Sequence, residues 1–154
     1  MMEWVSDKSV GVFFDEMPFV SIRYPLPSST EDEKKSIKKY PFINKRTLQV
    51  KLEDYKKHKS YGFSVPKGYC YDGASIPRLF WRVIGSNTDN RFLIPALIHD
   101  VLCEHHEYVD YDRKFSTAVF NALLQVSDIC AFKRFLMKNS VDVFQKLFCN
   151  WKAG

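Results

Sequence analysis

Two hydrophobic periods divide this chain. Across residues 47–52, Leu48, Val50 and Leu52 alternate with Thr47, Gln49 and Lys51. Period two buries one face of an extended strand. From Ile94 onward the spacing changes. Ile94, Leu97, Ile98, Val101 and Leu102 share one helical face, and Phe115, Ala118, Val119, Ala122, Leu123 and Val126 share another. Three-to-four spacing belongs to helices packed along a stripe. Strands first and helices after is an α+β order. The expected fold is a small antiparallel sheet from the N-terminal half packed against three to four C-terminal helices.

The rest of the pattern fits one domain over residues 1–154. Residues 10–24 are rich in β-branched and aromatic side chains and read as one or two strands. Pro25 and Pro27 break that run, and residues 26–40 form a charged loop or short helix. Residues 61–65 read as the hairpin partner of 47–52, with Lys56, Lys57, His58 and Lys59 in the solvated loop between them. Pro66-Lys67-Gly68 makes a turn before a short strand at Tyr69-Cys70-Tyr71. Residues 79–84 read as a short helix ending at Gly85. Pro95 suits the first turn of a helix running to about Glu104, and the next helix starts near Asp110. C-terminal helices fill 128–152, with Asp128 as a cap and Phe132, Phe135 and Leu136 on an apolar stripe. Thirteen Phe and eight Tyr in 154 residues supply enough apolar surface for a real core.

Charge excludes little. Lys+Arg number 23 against Asp+Glu 18, a formal +5, which is an ordinary basic surface. The lysines at 34–39 and 56–59 are not interleaved with aromatics, so a nucleic-acid module is not expected. No run of about 18 apolar residues exists, so no membrane span is expected, although a lipid surface is compatible with the charge. The start, Met1-Met2-Glu3-Trp4, lacks a leader pattern. Cys70, Cys103, Cys130 and Cys149 form no CxxC pair, and in the cytoplasm of a cell or in a virion they would be reduced thiols.

The chemistry-bearing residues concentrate in one stretch, Tyr71-Asp72-Gly73-Ala74-Ser75-Ile76-Pro77-Arg78, followed by His99-Asp100. Asp72-Gly73 is a turn whose oxygens can also hold a hard cation such as calcium. Ser75 lacks a Gly-x-Ser-x-Gly elbow and reads as a cap or turn residue. His99 sits at the edge of the apolar helix face. Asp112 lies in line with Phe115 and Val119, so the stripe would turn it inward. There it would either orient His99 as a base or complement a helix N-terminus. A competing zinc set combines His99, Cys103 and His106 on one face, with Asp100 and Glu104 also one turn apart.

Val65-Pro66-Lys67-Gly68-Tyr69, the Asp72–Arg78 block, Phe80-Trp81, Ala96-Leu97-Ile98-His99-Asp100 and Asp112-x-x-Phe115 together resemble the phage and prophage family DUF1353, from about residue 47 to 125. The resemblance implies a phage-encoded or prophage-encoded protein and no reaction. The His-Asp pair with a later Asp is also similar to secretory phospholipases of the A-two type. That similarity implies His99 as base, Asp72, Gly73 and Asp100 as calcium ligands, and Asp112 as the orienting group. It departs at Cys103, where those enzymes carry a helical Tyr.

Two functions are therefore expected. One is a phage accessory protein with a metal-assisted His/Asp site acting on an ester or phosphoester, with Ser75, Arg78 and Cys103 as further site candidates. The other is a non-enzymatic virion or host-interaction protein, in which these blocks form a structural network.

Overall fold

The computed structural model describes residues 1–72, 93–105 and 111–126, together with Phe135, Leu136, Lys138, Asn139, Asp142 and Lys146. The expected helix at 79–84, the positions of Gly73, Ser75 and Arg78, and most of 128–152 lie outside them. Phe135, expected on an apolar stripe, is 63% exposed.

Strands β1 (Met2–Ser6), β2 (Val10–Phe14), β3 (Val20–Ile22), β4 (Phe42–Asn44), β5 (Leu48–Asp54), β6 (Lys59–Val65) and β7 (Cys70–Tyr71) form two antiparallel sheets. Their orders are β1-β2-β5-β6 and β3-β4-β7. Helices are α1 (Glu31–Lys39), α2 (Leu93–Glu104) and α3 (Arg113–Val126). The α+β expectation therefore holds, with the strands split between two sheets.

The β5–β6 hairpin follows from its side chains. Leu48, Val50, Leu52 and Asp54 are buried on one face of β5, as the alternation requires. Asp54 closes the turn. Its Oδ1 accepts the Lys56 and Lys57 amides at 3.1 and 3.2 Å, so the carboxylate holds the chain reversal in place. His58 completes it with φ 53°, a left-handed conformation that this residue type tolerates better than most.

Residues 31–39 form a helix rather than a loop, because Thr30 starts it. The Thr30 hydroxyl accepts the Glu33 amide, and the Glu33 carboxylate accepts the Thr30 amide, which is a reciprocal capping box. No residue of α1 is buried, so α1 stands on local interactions rather than on the core.

The core lies where α3 meets β1 and β2 and where α2 meets α3. Phe14, Leu48, Leu52, Leu97, Ile98, Leu102, Phe120 and Leu123 are fully buried there. Each side chain of this size contributes about 1.5–3 kcal/mol of transfer free energy. The buried face of α3 is wider than the expected stripe. Phe115, Val119, Ala122 and Leu123 are buried as expected, Ser116, Thr117, Phe120 and Leu124 are buried as well, and Val126 is 43% exposed. Asn44 joins the two sheets: its Nδ2 donates to Val65 O and Pro66 O at 3.2 and 3.0 Å.

Candidate functional site

His99 and Asp100 lie in the second half of α2 and are buried at 1% and 6% exposure. The apolar face of the helix carries them inward. The imidazole packs 5.1 Å from the Phe120 ring on α3. Burial pushes its pKa down to about 3, since the charged form loses its hydration in an apolar surround. His99 is therefore a neutral imidazole in the core at physiological pH.

Asp112 is not its orienting group. It precedes α3, where its Oδ1 accepts the Phe115 amide at 2.7 Å and its Oδ2 takes the Lys57 ammonium at 2.9 Å. Both oxygens are committed, one to an N-cap and one to the β5–β6 turn. The geometry corrects the inward dyad and matches the helix-terminus alternative. Partial desolvation pushes the Asp112 carboxyl up. The Phe115 amide and Lys57 together outweigh it and hold the pKa below the usual value.

Asp72 and Asp100 each act on Tyr69. Both raise the pKa of the Tyr69 hydroxyl electrostatically, after the larger effects of desolvation and of Glu104. Tyr69 donates its hydroxyl hydrogen to Glu104 Oε2. Tyr71 is fully buried and donates to Leu93 O at 2.7 Å; desolvation first, and Asp100 second, keep it protonated. The Tyr69 and Tyr71 rings stack at 6.4 Å with 21° between planes. Both phenols therefore act as donors, not as bases. Tyr69 is absent from the sequence-based candidates, and Glu104 enters only in the zinc set, beside Asp100. The signal for Tyr69 is its place two residues before Tyr71, just ahead of β7, where extended alternation puts both rings on one side.

Cys103 also differs from expectation. It is disulfide-bonded, whereas Cys70 is free. A disulfide-bonded sulfur is not the thiolate that a zinc site requires. Among the described residues no group of three His, Cys, Asp or Glu is arranged to hold a metal. Gly73, Ser75, Arg78 and His106 lie outside them.

The family model for "Protein of unknown function (DUF1353)" matches residues 48–141, from β5 through α3 and beyond. This chain belongs to DUF1353. The matched region holds every residue of the candidate site, so the buried His99-Asp100 pair and the Tyr69–Glu104 bond sit inside the DUF1353 segment. A curated protein of Sinorhizobium fredii, "Uncharacterized protein y4jT", is 42% identical over 48 residues. That stretch covers 31% of the present DUF1353 chain and 14% of y4jT. No solved structure matches the chain. No described helix is long and apolar enough to cross a membrane.

Proposed function

We propose that this DUF1353 chain is a phage-encoded or prophage-encoded interaction protein without catalytic use of His99. In this reading His99 and Asp100 serve the fold. The observation that carries it is the state of His99. Its ring is sealed in the core against Phe120, is held neutral, and lacks Asp112, which caps α3 instead. A general base needs hydrogen-bond reach to a substrate proton and a pKa near the working pH. His99 is poorly placed on both counts. The test is His99→Ala, read by urea denaturation and by turnover of phospholipid and phosphoester substrates. The variant should lose about 3 kcal/mol of stability, as buried aromatic truncations do. An equally stable variant that abolishes a measurable wild-type hydrolysis would sink the proposal.

A cation held by Asp72 and Asp100 is a second reading, carried by the Asp72-Gly73 and His99-Asp100 pattern of the sequence, although no three such ligands are grouped among the described residues. Calcium is the hard cation that suits oxygen ligands of this kind. Its test is a thermal-shift series after chelation, with calcium, zinc, manganese and magnesium added back singly to wild type and Asp100→Asn. A rise with calcium that Asp100→Asn loses would restore the metal-assisted hydrolase reading. Equal behaviour of the two chains would remove it.

A further inference from the structure

Strand β6 is an outer strand of the four-stranded sheet, paired with β5 on one side. The direction of its free backbone groups follows from the register. Asp15 N–H donates to Gln49 O at 3.2 Å, and Gln49 N–H donates to Asp15 Oδ1 at 2.9 Å, so Gln49 faces the β2 side of the sheet. Alternation then turns Lys51 and Glu53 toward β2, and Leu48, Val50, Leu52 and Asp54 toward β6. On β6 the partners of those residues are Val65, Phe63, Tyr61 and Lys59. Ser60, Gly62 and Ser64 therefore point their N–H and C=O groups outward, and among the described residues no backbone group pairs with them.

The same strand walls a cleft of about 590 Å³. Tyr61, Phe63 and Val65 line one side of it, Val101 and Leu102 of α2 the other, and Tyr111 also contributes. Gly62 lies at its edge with no side chain to cover the backbone, and a Cβ there would meet nothing nearer than 4.0 Å. A bare glycine in a strand marks a place where another backbone can approach closely. His105 and Tyr69 also line the cleft; next to them in sequence and by hydrogen bond is Glu104, exposed, bonded to the Tyr69 hydroxyl and, among the described residues, in no ion pair.

We infer that the groove between β6 and α2 binds an extended peptide segment of a partner protein by strand addition. The inference deepens the interaction reading above and rests on it only in naming a partner. Outward donors and acceptors recur at every second residue of β6, about 6.6–6.8 Å apart, and another β-strand matches that repeat. The cleft selects apolar side chains at alternate peptide positions. Glu104 selects a lysine or arginine beside them, by charge complementarity.

The experiment is fluorescence anisotropy with a fluorescein-labelled heptapeptide alternating leucine and threonine and ending in two lysines. A second probe ends in two glutamates, and a third carries N-methyl groups on alternate amides. Wild type, Ser64→Ala, Ser64→Pro and Glu104→Lys are compared, with circular dichroism confirming the fold. Ser64→Pro removes an outward N–H and leaves the β5–β6 ladder intact. The lysine probe should bind wild type and Ser64→Ala alike. Binding should weaken by about tenfold or more with Ser64→Pro or with the N-methylated probe, as for loss of a hydrogen bond with its partner left unpaired. Glu104→Lys should reverse the preference between the lysine and glutamate probes. If Ser64→Pro does not fold, the N-methylated probe carries the test alone. Three results overturn the inference: no saturable binding by any probe up to millimolar concentration, equal binding of the N-methylated probe, or self-association of the wild type that Ser64→Pro abolishes, which would assign β6 to a second copy of the chain. If the probes fail while His99→Ala is destabilised as expected, the groove is lost and the structural role of His99 stands.

Discussion

Lys57 Nζ lies 2.9 Å from Asp112 Oδ2, so the turn of the β5–β6 hairpin is tied to the N-terminus of α3 across 55 positions of sequence. The same carboxylate caps the helix through Phe115. One side chain thus links α3 to the hairpin turn and supplies its first turn with an acceptor. Asp112→Ala should lose about 1 kcal/mol in urea denaturation, the usual cost of an N-cap. Lys57→Met should lose less, because its ammonium is exposed and the pair is screened by salt. Equal losses for the two variants would place the energy in the ion pair rather than in the cap.

The Asp112 shift has a defined sign. Its folded pKa lies below the ordinary 3.8, so the folded chain holds this proton less tightly than the unfolded one. The associated stability is present above 3.8 and is lost as pH falls through the folded value. Asp112→Asn should lose this contribution at neutral pH and converge with the wild type as pH falls through the acid window. A difference that stays unchanged below that window would contradict this assignment.

His99 titrates in a different window. Its pKa falls from the ordinary 6.5 to about 3 because the ring is desolvated. Below 6.5 the unfolded chain takes up a proton that the folded chain refuses. Stability is therefore complete above 6.5 and declines by up to about 1.4 kcal/mol per pH unit toward 3. His99→Gln should remove this slope between pH 6 and 4, measured by urea titrations at fixed ionic strength. Persistence of the full slope would mean that another group causes it.

The Tyr71 hydroxyl is buried and donates to Leu93 O at 2.7 Å, linking β7 to the start of α2. Tyr71→Phe keeps the ring in its place beside Phe42 and Tyr69 and deletes only the donor. The expected cost is about 1 kcal/mol, read as a shift in the urea midpoint with an unchanged slope. No shift would show that this bond contributes nothing net.

Helix α1 offers a local test. Thr30→Ala opens the capping box, yet α1 buries no residue. Amide exchange should accelerate across 31–39 while the melting temperature stays within about 1 °C, because the global transition does not depend on this helix. A drop of several degrees would mean that α1 supports the core.

Much of the fold is legible in the sequence. Leu48, Val50 and Leu52 dictate β5 by alternation, and Asp54 with His58 fits the turn that follows. The stripe from Ile94 to Leu102 dictates α2, because helical geometry alone brings those residues to one side. β1 and β4 are less legible: Met2–Ser6 is mostly exposed, and Phe42–Asn44 has three residues. Each is ordered by pairing with a strand on another part of the chain.

The candidate site divides the same way. The sequence determined that His99 and Asp100 would sit in an apolar helix and that Asp112 would stand near a helix start, because local periodicity and capping act over a few residues. Only the tertiary structure decided that Asp112 serves Lys57 and the cap rather than His99, that Tyr69 meets Glu104, and that β6 is an outer strand among the described residues. Those outcomes depend on which distant segments pack together. Packing distributes a carboxylate or a strand edge among partners that no local pattern specifies.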